Sequence, residues 1–253
     1  AQDLITILTQ KDAHKALDMY QDIYKRNTFG TTEAGLRIIS DAPKFLQAED
    51  KNITSKYIQT ASLFGNDFVN TTDVRRLETY GTYLLQIGDT KAVEVLEKAQ
   101  MLAPDRQNNL YTLGIAYINA KQIQKAKDVF EHAYEVFPEN QKAKNYYGGI
   151  LMITGEKNYK QYIEGYSYKD AFFISMFIQA KQYGEVIKIR EQLKKDNPTD
   201  YQNQVSLAVA YYLNKQTQQA VGILREVQKA VPDFKGQGDY LIKEMQAGRN
   251  IIK

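Results

Sequence analysis

The chain has 253 residues, of which 43% are hydrophobic and 25% charged, with a formal net charge of +3 and a mean hydropathy of −0.52. These values are typical of a folded protein, and the interspersed acids and bases argue against nucleic-acid binding, which needs a concentrated basic surface. Because there is no cysteine, disulfides, thiolate catalysis and cysteine-ligated metal sites are excluded. No apolar run approaches the roughly 18 residues that a membrane-spanning helix needs.

The first 72 residues contain amphipathic helices of irregular spacing. Apolar residues recur at three- and four-residue steps over 16–24 and again over 53–64, as they do on one face of a helix. Between these stretches, residues 36–39 predict a further helix, which Pro43 kinks or ends. We interpret residues 1–72 as divergent helices continuous with the repeats that follow.

Four prolines give the rest of the chain a period. Pro104, Pro138, Pro198 and Pro232 are separated by 34, 60 and 34 residues. This spacing resembles the tetratricopeptide repeat, a 34-residue unit of two antiparallel helices with a proline after the second helix.

Residues 107–140 match the repeat pattern most completely. Small and apolar residues form one stripe on each of the two predicted helices: Leu110, Leu113, Gly114, Tyr117, Ala126, Phe130 and Ala133. The small residues let two helix backbones approach, and the two rings fill the space between layers. The same scheme recurs in residues 201–234 and, with a connecting turn one residue shorter, in residues 73–106.

The interval between Pro138 and Pro198 predicts two degenerate repeats, 141–166 and 167–200, with a short second helix near 158–164 in the first. Residues 235–253 predict a capping helix and tail, because the last layer of a solenoid has no neighbour. The predicted fold class is therefore all-α. The resemblance implies that the antiparallel pairs stack into a right-handed α-α superhelix.

A narrower resemblance depends on short motifs: Lys15-Ala16-Leu17 through Tyr24, Asn27-Thr28-Phe29-Gly30, Glu33, and Ala230-Val231-Pro232-Asp233-Phe234. Together with the repeats they resemble the soluble tail of bacterial O-antigen ligase and polymerase-type membrane proteins. The resemblance implies a piece of a membrane-anchored parent, on the extracytoplasmic side and without the parent's catalytic residues. Without the resemblance, the expected location is cytoplasmic.

The sequence nominates no catalytic or metal site. Its two histidines, His14 and His132, lie far apart and are each interpreted as solvated helix residues, so a zinc site is not expected. Neither a Gly-x-Ser-x-Gly motif nor a Gly-x-x-x-x-Gly-Lys motif occurs. Carboxylate pairs such as Glu94 and Glu97 are typical of charged outer helix faces. We therefore predict a non-catalytic protein without cofactor or metal.

In tetratricopeptide arrays the first helix of each pair lines a concave groove, so the resemblance implies a binding surface there. Candidate groove residues lie about a third of a turn from the packing stripe. They are Arg75, Glu78, Asn108, Tyr111, Ile115, Asn119, Lys142, Asn145, Gln179, Gln202 and Tyr212, and the same reasoning adds Thr82, Gln86, Ile118, Gly149, Met152, Ala171, Ser175, Val205 and Val209. Tyr111 and Tyr212 are expected to present exposed rings to a partner.

These features predict a protein-interaction scaffold that holds a protein or peptide in its groove. The alternative is a glycan-binding module, with groove tyrosines stacked on sugar faces. RNA binding, for which the affinity would fall as the salt concentration rises, is the third candidate function, and a hydrolase is the last. A chaperone-type clamp for a peptide carboxylate is disfavoured, because Lys142 and Asn145 share one helix while the preceding repeat offers Asn108 and Asn119 but no lysine. The sequence leaves the partner and the oligomeric state open.

Overall fold

A computed structural model describes residues 12–26, 31–48, 50–163 and 171–251. All regular structure in these residues is helical, so the all-α prediction is confirmed. The Asn27–Gly30 part of the narrower motif and residues 164–170 lie outside the described residues. The chain divides into two compact units, Ala1–Phe137 and Pro138–Lys253.

The described part of the first unit contains eight α-helices: α1 (Ala13–Arg26), α2 (Thr31–Ser40), α3 (Ala42–Leu46), α4 (Lys51–Val69), α5 (Val74–Gln86), α6 (Lys91–Leu102), α7 (Gln107–Asn119) and α8 (Ile123–Val136). Pro43 lies in the first turn of α3, after α2 has ended. Helices α1 and α2 pack on α4, and both α2 and α4 pack on α5. The irregular helices therefore stack directly onto the first repeat pair, α5 and α6.

The described part of the second unit contains six α-helices and two short 3₁₀ turns: α9 (Gln141–Thr154), η1 (Lys157–Gln161), α10 (Ala171–Gln179), α11 (Tyr183–Asp196), α12 (Tyr201–Leu213), α13 (Thr217–Ala230), η2 (Pro232–Phe234) and α14 (Lys235–Gln246). The short helix expected near 158–164 is the 3₁₀ turn η1. The capping helix α14 packs on α13 and buries Met245. It spans Lys235–Gln246, inside the range 235–253 given for the capping helix and tail.

Each of the four spaced prolines stands two residues after the end of a second helix. The residue before each proline is extended, with φ between −145° and −128° and ψ between 73° and 88°: Ala103, Phe137, Asn197 and Val231. A proline ring disfavours helical backbone in the residue before it, which explains why α6, α8, α11 and α13 all stop at this point.

The turn inside three of the helix pairs has three residues, with a lysine in the left-handed region. Lys121, Lys181 and Lys215 have φ of 60°, 55° and 62°. The N–H of Gln122 donates to the carbonyl of Tyr117 at 2.8 Å, and equivalent bonds close the other two turns. This arrangement satisfies carbonyls that the first helix leaves without partners at its end.

The turn between α5 and α6 is different. It has four residues, so the prediction that it is one residue shorter than the others is wrong. Gly88 takes the left-handed position with φ of 74°, and the Asp89 carboxylate then accepts a hydrogen bond from the N–H of Lys91 at 2.9 Å. The extra residue lets Asp89 cap α6, which is 12 residues long whereas α8 has 14.

Candidate binding surfaces

The first unit has an open cavity against the helices α2, α5 and α7. It has a volume of about 290 Å³ and is lined by Ile39, Ser40, Glu78, Thr79, Thr82, Tyr83, Gln86, Asn108 and Thr112. Helices α5 and α7 are the first helices of successive pairs, and they contact each other. The cavity therefore brings together four of the groove residues predicted from the sequence, Glu78, Thr82, Gln86 and Asn108.

The acid in this cavity already has a partner. The Nε of Arg106 donates to Oε1 of Glu78 at 2.6 Å, and the Glu78 side chain is only 14% exposed. The bond to Glu78 raises the pKa of Arg106 above its usual value. On the same helix, Nη2 of Arg75 lies 3.2 Å from Oε1 of Glu33 in an exposed ion pair. With its acid paired, the cavity presents mainly hydroxyls and amides.

The second unit has a cavity of about 300 Å³. One stripe of α12 forms a wall, and residues of α10, α11 and α14 complete it: Ile178, Tyr183, Val186, Arg190, Gln202, Val205, Ser206, Val209, Ala210, Leu213, Gln237 and Leu241. Three groove residues predicted from the sequence lie here, namely Gln202, Val205 and Val209. In contrast to the first cavity, most of these side chains are apolar.

Two buried asparagines hold successive repeats together. Nδ2 of Asn109 donates to the carbonyl of Leu96 at 3.1 Å, and Nδ2 of Asn203 donates to the carbonyl of Arg190 at 3.0 Å. Each asparagine is the third residue of its first helix, and each acceptor stands eight residues before a proline. Sequence reasoning missed this contact. The common position of the two asparagines was the available signal, since buried amides need partners.

A tyrosine and a glutamate form a second repeated contact. The Tyr117 hydroxyl donates to Oε1 of Glu97 at 2.6 Å, and Tyr211 makes the same bond to Glu191, also 20 residues earlier. The bond from Tyr117 lowers the pKa of Glu97, and Nζ of Lys125 lies 3.1 Å away. Glu97 therefore ties two repeats together, whereas the sequence predicted only a charged outer face.

Two segments match models of the same family. Residues 108–140 match one tetratricopeptide repeat model, and residues 203–233 match another. The chain contains tetratricopeptide repeats. The matched segments are the pairs α7–α8 and α12–α13, which share the asparagine and tyrosine contacts described above.

Several solved tetratricopeptide proteins are similar in structure at low sequence identity. A tetratricopeptide repeat protein from Parabacteroides merdae ATCC 43184 is 16% identical with a TM-score of 0.47, and the match covers 77% of this chain and 79% of that one. MamA is 17% identical with a TM-score of 0.40, over 83% and 96% of the two chains. YrrB, described as having an unusual peptide-binding site, is 18% identical with a TM-score of 0.37, over 65% and 89%. No curated protein matches the chain.

The prediction that the pair α7–α8 exposes the ring of Tyr111 is wrong. Tyr111 is only 4% exposed, and its hydroxyl donates to Oε1 of Gln107. Burial raises the pKa of Tyr111 to about 12. Helix α7 contacts α5, α6 and α8, so a side chain beside the packing stripe is still covered.

Tyr212, in the last tetratricopeptide pair, is half-buried. Its hydroxyl donates to the carbonyl of Arg249 at 2.8 Å, so the segment after α14 covers part of the ring. Neither tyrosine is therefore the freely exposed contact that the sequence predicted.

The candidates of α9 do not form a common site. Asn145 is only 7% exposed and accepts a hydrogen bond from Nε2 of Gln141 at 2.9 Å, so the prediction that it faces the groove is wrong. Helix α9 buries eight of its residues, which leaves little free surface at this point. Lys142 is exposed, with its Nζ 5.7 Å from the ring centre of Tyr146.

The remaining groove candidates are separated. Ile115 is half-buried, and exposed Asn119 lines a smaller cavity of about 80 Å³ beside the α5–α6 turn. Exposed Gln179 donates weakly to Oγ of Ser175 at 3.4 Å. These positions are not brought together with either larger cavity.

The histidines have carboxylate neighbours at the surface. Nε2 of His132 lies 2.9 Å from Oδ1 of Asp105, and Nε2 of His14 lies 3.4 Å from Oδ2 of Asp50. Across the described ranges, no three His, Asp or Glu side chains cluster closely enough to hold a metal ion. No helix within those ranges has the length and apolar character needed to cross a bilayer.

Proposed function

We propose that this chain is a non-catalytic protein-interaction scaffold and that the cavity against α5 and α7 holds a segment of a protein partner. The observation that carries the proposal is that side chains from the first helices of successive repeats, Glu78 and Asn108, line the same open cavity. One tetratricopeptide repeat model matches residues 108–140, which include the α7 side of this cavity, and the repeat is typically a binding scaffold.

The polar groups of the cavity suit an extended peptide. The hydroxyls of Thr79 and Thr112 donate to carbonyls of their own helices at 2.8 and 2.9 Å. By contrast, the exposed side-chain amides of Gln86 and Asn108 make no hydrogen bond to any residue that the structure describes. An amide offers both donors and an acceptor, so these two side chains can pair with the N–H and C=O groups of a bound backbone.

A peptide library displayed on phage and selected on the full chain tests this function. We expect the selected peptides to lose at least about tenfold in affinity when Thr82→Arg and Asn108→Arg together fill the cavity, because the bulky cations displace the bound segment. Gln124→Arg adds the same side chain on α8, outside the cavity, and is the matched control. Peptides that bind the double variant as tightly as the original chain would refute the proposed site.

A glycan-binding module is the second candidate function. Sugar recognition by this groove would need exposed aromatic faces, but Tyr111 is buried, Tyr212 is half-buried, and Tyr83 in the first cavity is only 1% exposed. A peptide partner is therefore favoured. Calorimetric titration with oligosaccharides separates the two functions. A heat of binding that is seen with the original chain and is lost in the Thr82→Arg, Asn108→Arg double variant would favour the glycan-binding function.

The resemblance to O-antigen ligase tails stays a prediction. It implies that the scaffold is the extracytoplasmic tail of an O-antigen ligase-like membrane protein. The coding sequence upstream of Ala1 tests it. A series of encoded membrane spans would support this parent protein. An immediate start codon or a plain signal peptide would rule it out.

A further inference from the structure

Arg190 is a half-buried cation without an ion-pair partner. Its Nη1 donates to Oδ1 of Asn203 at 3.1 Å, but no carboxylate in the described part of the second unit lies within ion-pair distance of it. Burial lowers the pKa of Arg190, and the more distant Asp200 only partly offsets this. The Asp200 carboxylate is itself engaged, since it accepts the N–H of Asn203 at 2.9 Å as the cap of α12. A partly desolvated cation is stabilised by a nearby anion, so this site favours an anionic group.

The guanidinium lies at the edge of a space that an apolar group can fill. Arg190 lines the 300 Å³ cavity of the second unit together with Val186, Val205 and Val209. Gln202 lies on the same wall of α12 and is exposed, so the cavity is open to solvent at this end. A guanidinium has five N–H donors in a planar fork that matches a carboxylate, and the bond to Asn203 uses one of them.

We propose that this cavity is the binding site for an acidic peptide segment, with an apolar side chain between α11 and α12 and an adjacent carboxylate side chain on Arg190. This inference rests on the proposed function as a protein-binding scaffold, and it names the chemistry of one partner segment. The complementary charge specifies the occupant, because an uncharged apolar ligand would leave Arg190 without a counter-ion. A nearby apolar wall strengthens the pair by excluding water.

Two capped peptides that differ only in one side chain, a carboxylate in one and a carboxamide in the other, test the inference. Acetyl-Ala-Leu-Glu-Leu-Ala-amide and its Gln analogue have nearly the same shape, but only the first carries a carboxylate. We expect the Glu peptide to bind the full chain about tenfold more tightly than the Gln peptide in physiological salt, with shifts in the methyl resonances of Val205 and Val209. Equal affinities of the two peptides would overturn the inference.

Variants then locate the carboxylate. Arg190→Met keeps the length of the side chain and should abolish the preference for Glu. Gln202→Glu changes only an exposed side chain and supplies an internal carboxylate, so it should abolish the preference even if the Met variant folds poorly. Arg225→Met removes an exposed cation on α13 and controls for general attraction to the positive chain. A preference that survives Gln202→Glu, or that disappears with Arg225→Met, would place the carboxylate elsewhere.

The outcome is separable from that of the proposed function. Library peptides that bind the first-unit cavity, alongside equal affinities for the Glu and Gln peptides, would reject only the acidic site. Failure of the library selection, alongside a Glu preference that depends on Arg190, would reject only the first-unit site.

Discussion

Gly114 lies where α7 packs against Phe130 of α8, in the repeat that matches the sequence pattern most completely. A Cβ atom at this position would stand 2.3 Å from two ring atoms of Phe130. Phe130 is completely buried, so its ring has no free space into which to move. The glycine is therefore required by packing, although glycine is a poor residue for a helix interior.

Gly114→Ala should lower the free energy of unfolding by about 1–3 kcal/mol, because the clash with Phe130 outweighs the better helix propensity of alanine. Urea denaturation followed by circular dichroism measures the change. Gly222→Ala is the matched control, since a Cβ there meets nothing within 4 Å. It should raise stability by up to about 1 kcal/mol. Equal effects of the two substitutions would show that packing against Phe130 is not what requires the glycine.

At the scale of helices, the buried asparagines connect one pair to the next. Asn109 is 1% exposed and satisfies the carbonyl of Leu96, but its own Oδ1 has no hydrogen-bond partner among the described residues. Asn203 is better satisfied, because Arg190 donates to its Oδ1. The two contacts are equivalent in position, but only the Oδ1 of Asn203 accepts a hydrogen bond among the described residues.

Asn109→Ala should lower the free energy of unfolding by about 1–3 kcal/mol, because it leaves the Leu96 carbonyl buried without a donor. The neighbouring Asn108 is exposed, and Asn108→Ala should change stability by less than about 0.5 kcal/mol. Thermal unfolding of both variants measures the difference. A smaller loss for Asn109→Ala than for Asn108→Ala would contradict this role.

The helices could be predicted where a local signal determines them. Each spaced proline forces the preceding residue out of helical backbone, so the ends of α6, α8, α11 and α13 follow from sequence. The turn after α5 was mispredicted because the Gly88–Asp89 cap adds a residue, which the hydrophobic pattern does not record. Tyr111 was mispredicted because burial on α7 depends on three neighbouring helices, and the stripe of a single helix cannot report them. Three residues of the second-unit cavity were predicted, but Arg190 was missed, because its place in that cavity appears only when α11 and α12 are side by side.

At the scale of the whole molecule, buried tyrosines couple folding to alkaline pH. Burial raises the pKa of Tyr20, Tyr83 and Tyr111 to about 12, against about 10 for an unfolded tyrosine. A folded-state pKa above the unfolded value stabilises the fold fully below pH 10. That contribution is lost as pH rises from about 10 towards 12.

We therefore expect the chain to unfold between about pH 10 and pH 12, with loss of helical circular dichroism and appearance of tyrosinate absorbance over the same interval. Tyr83→Phe removes one titrating group and should move the midpoint to higher pH. Tyr240→Phe, at a residue that is 57% exposed, should leave it unchanged. Tyrosinate that forms while the helices stay intact would contradict this coupling.

The asparagine and tyrosine contacts also have a consequence for the length of the array. Their acceptors stand eight and seven residues before a proline, and before Pro138 those positions are occupied by Phe130 and Glu131. A second copy of residues 107–140 inserted after Asn140 would therefore present its own asparagine to a backbone carbonyl and its own tyrosine to a carboxylate. We therefore expect the chain to accept one more 34-residue repeat at this position, with the asparagine and tyrosine contacts both formed.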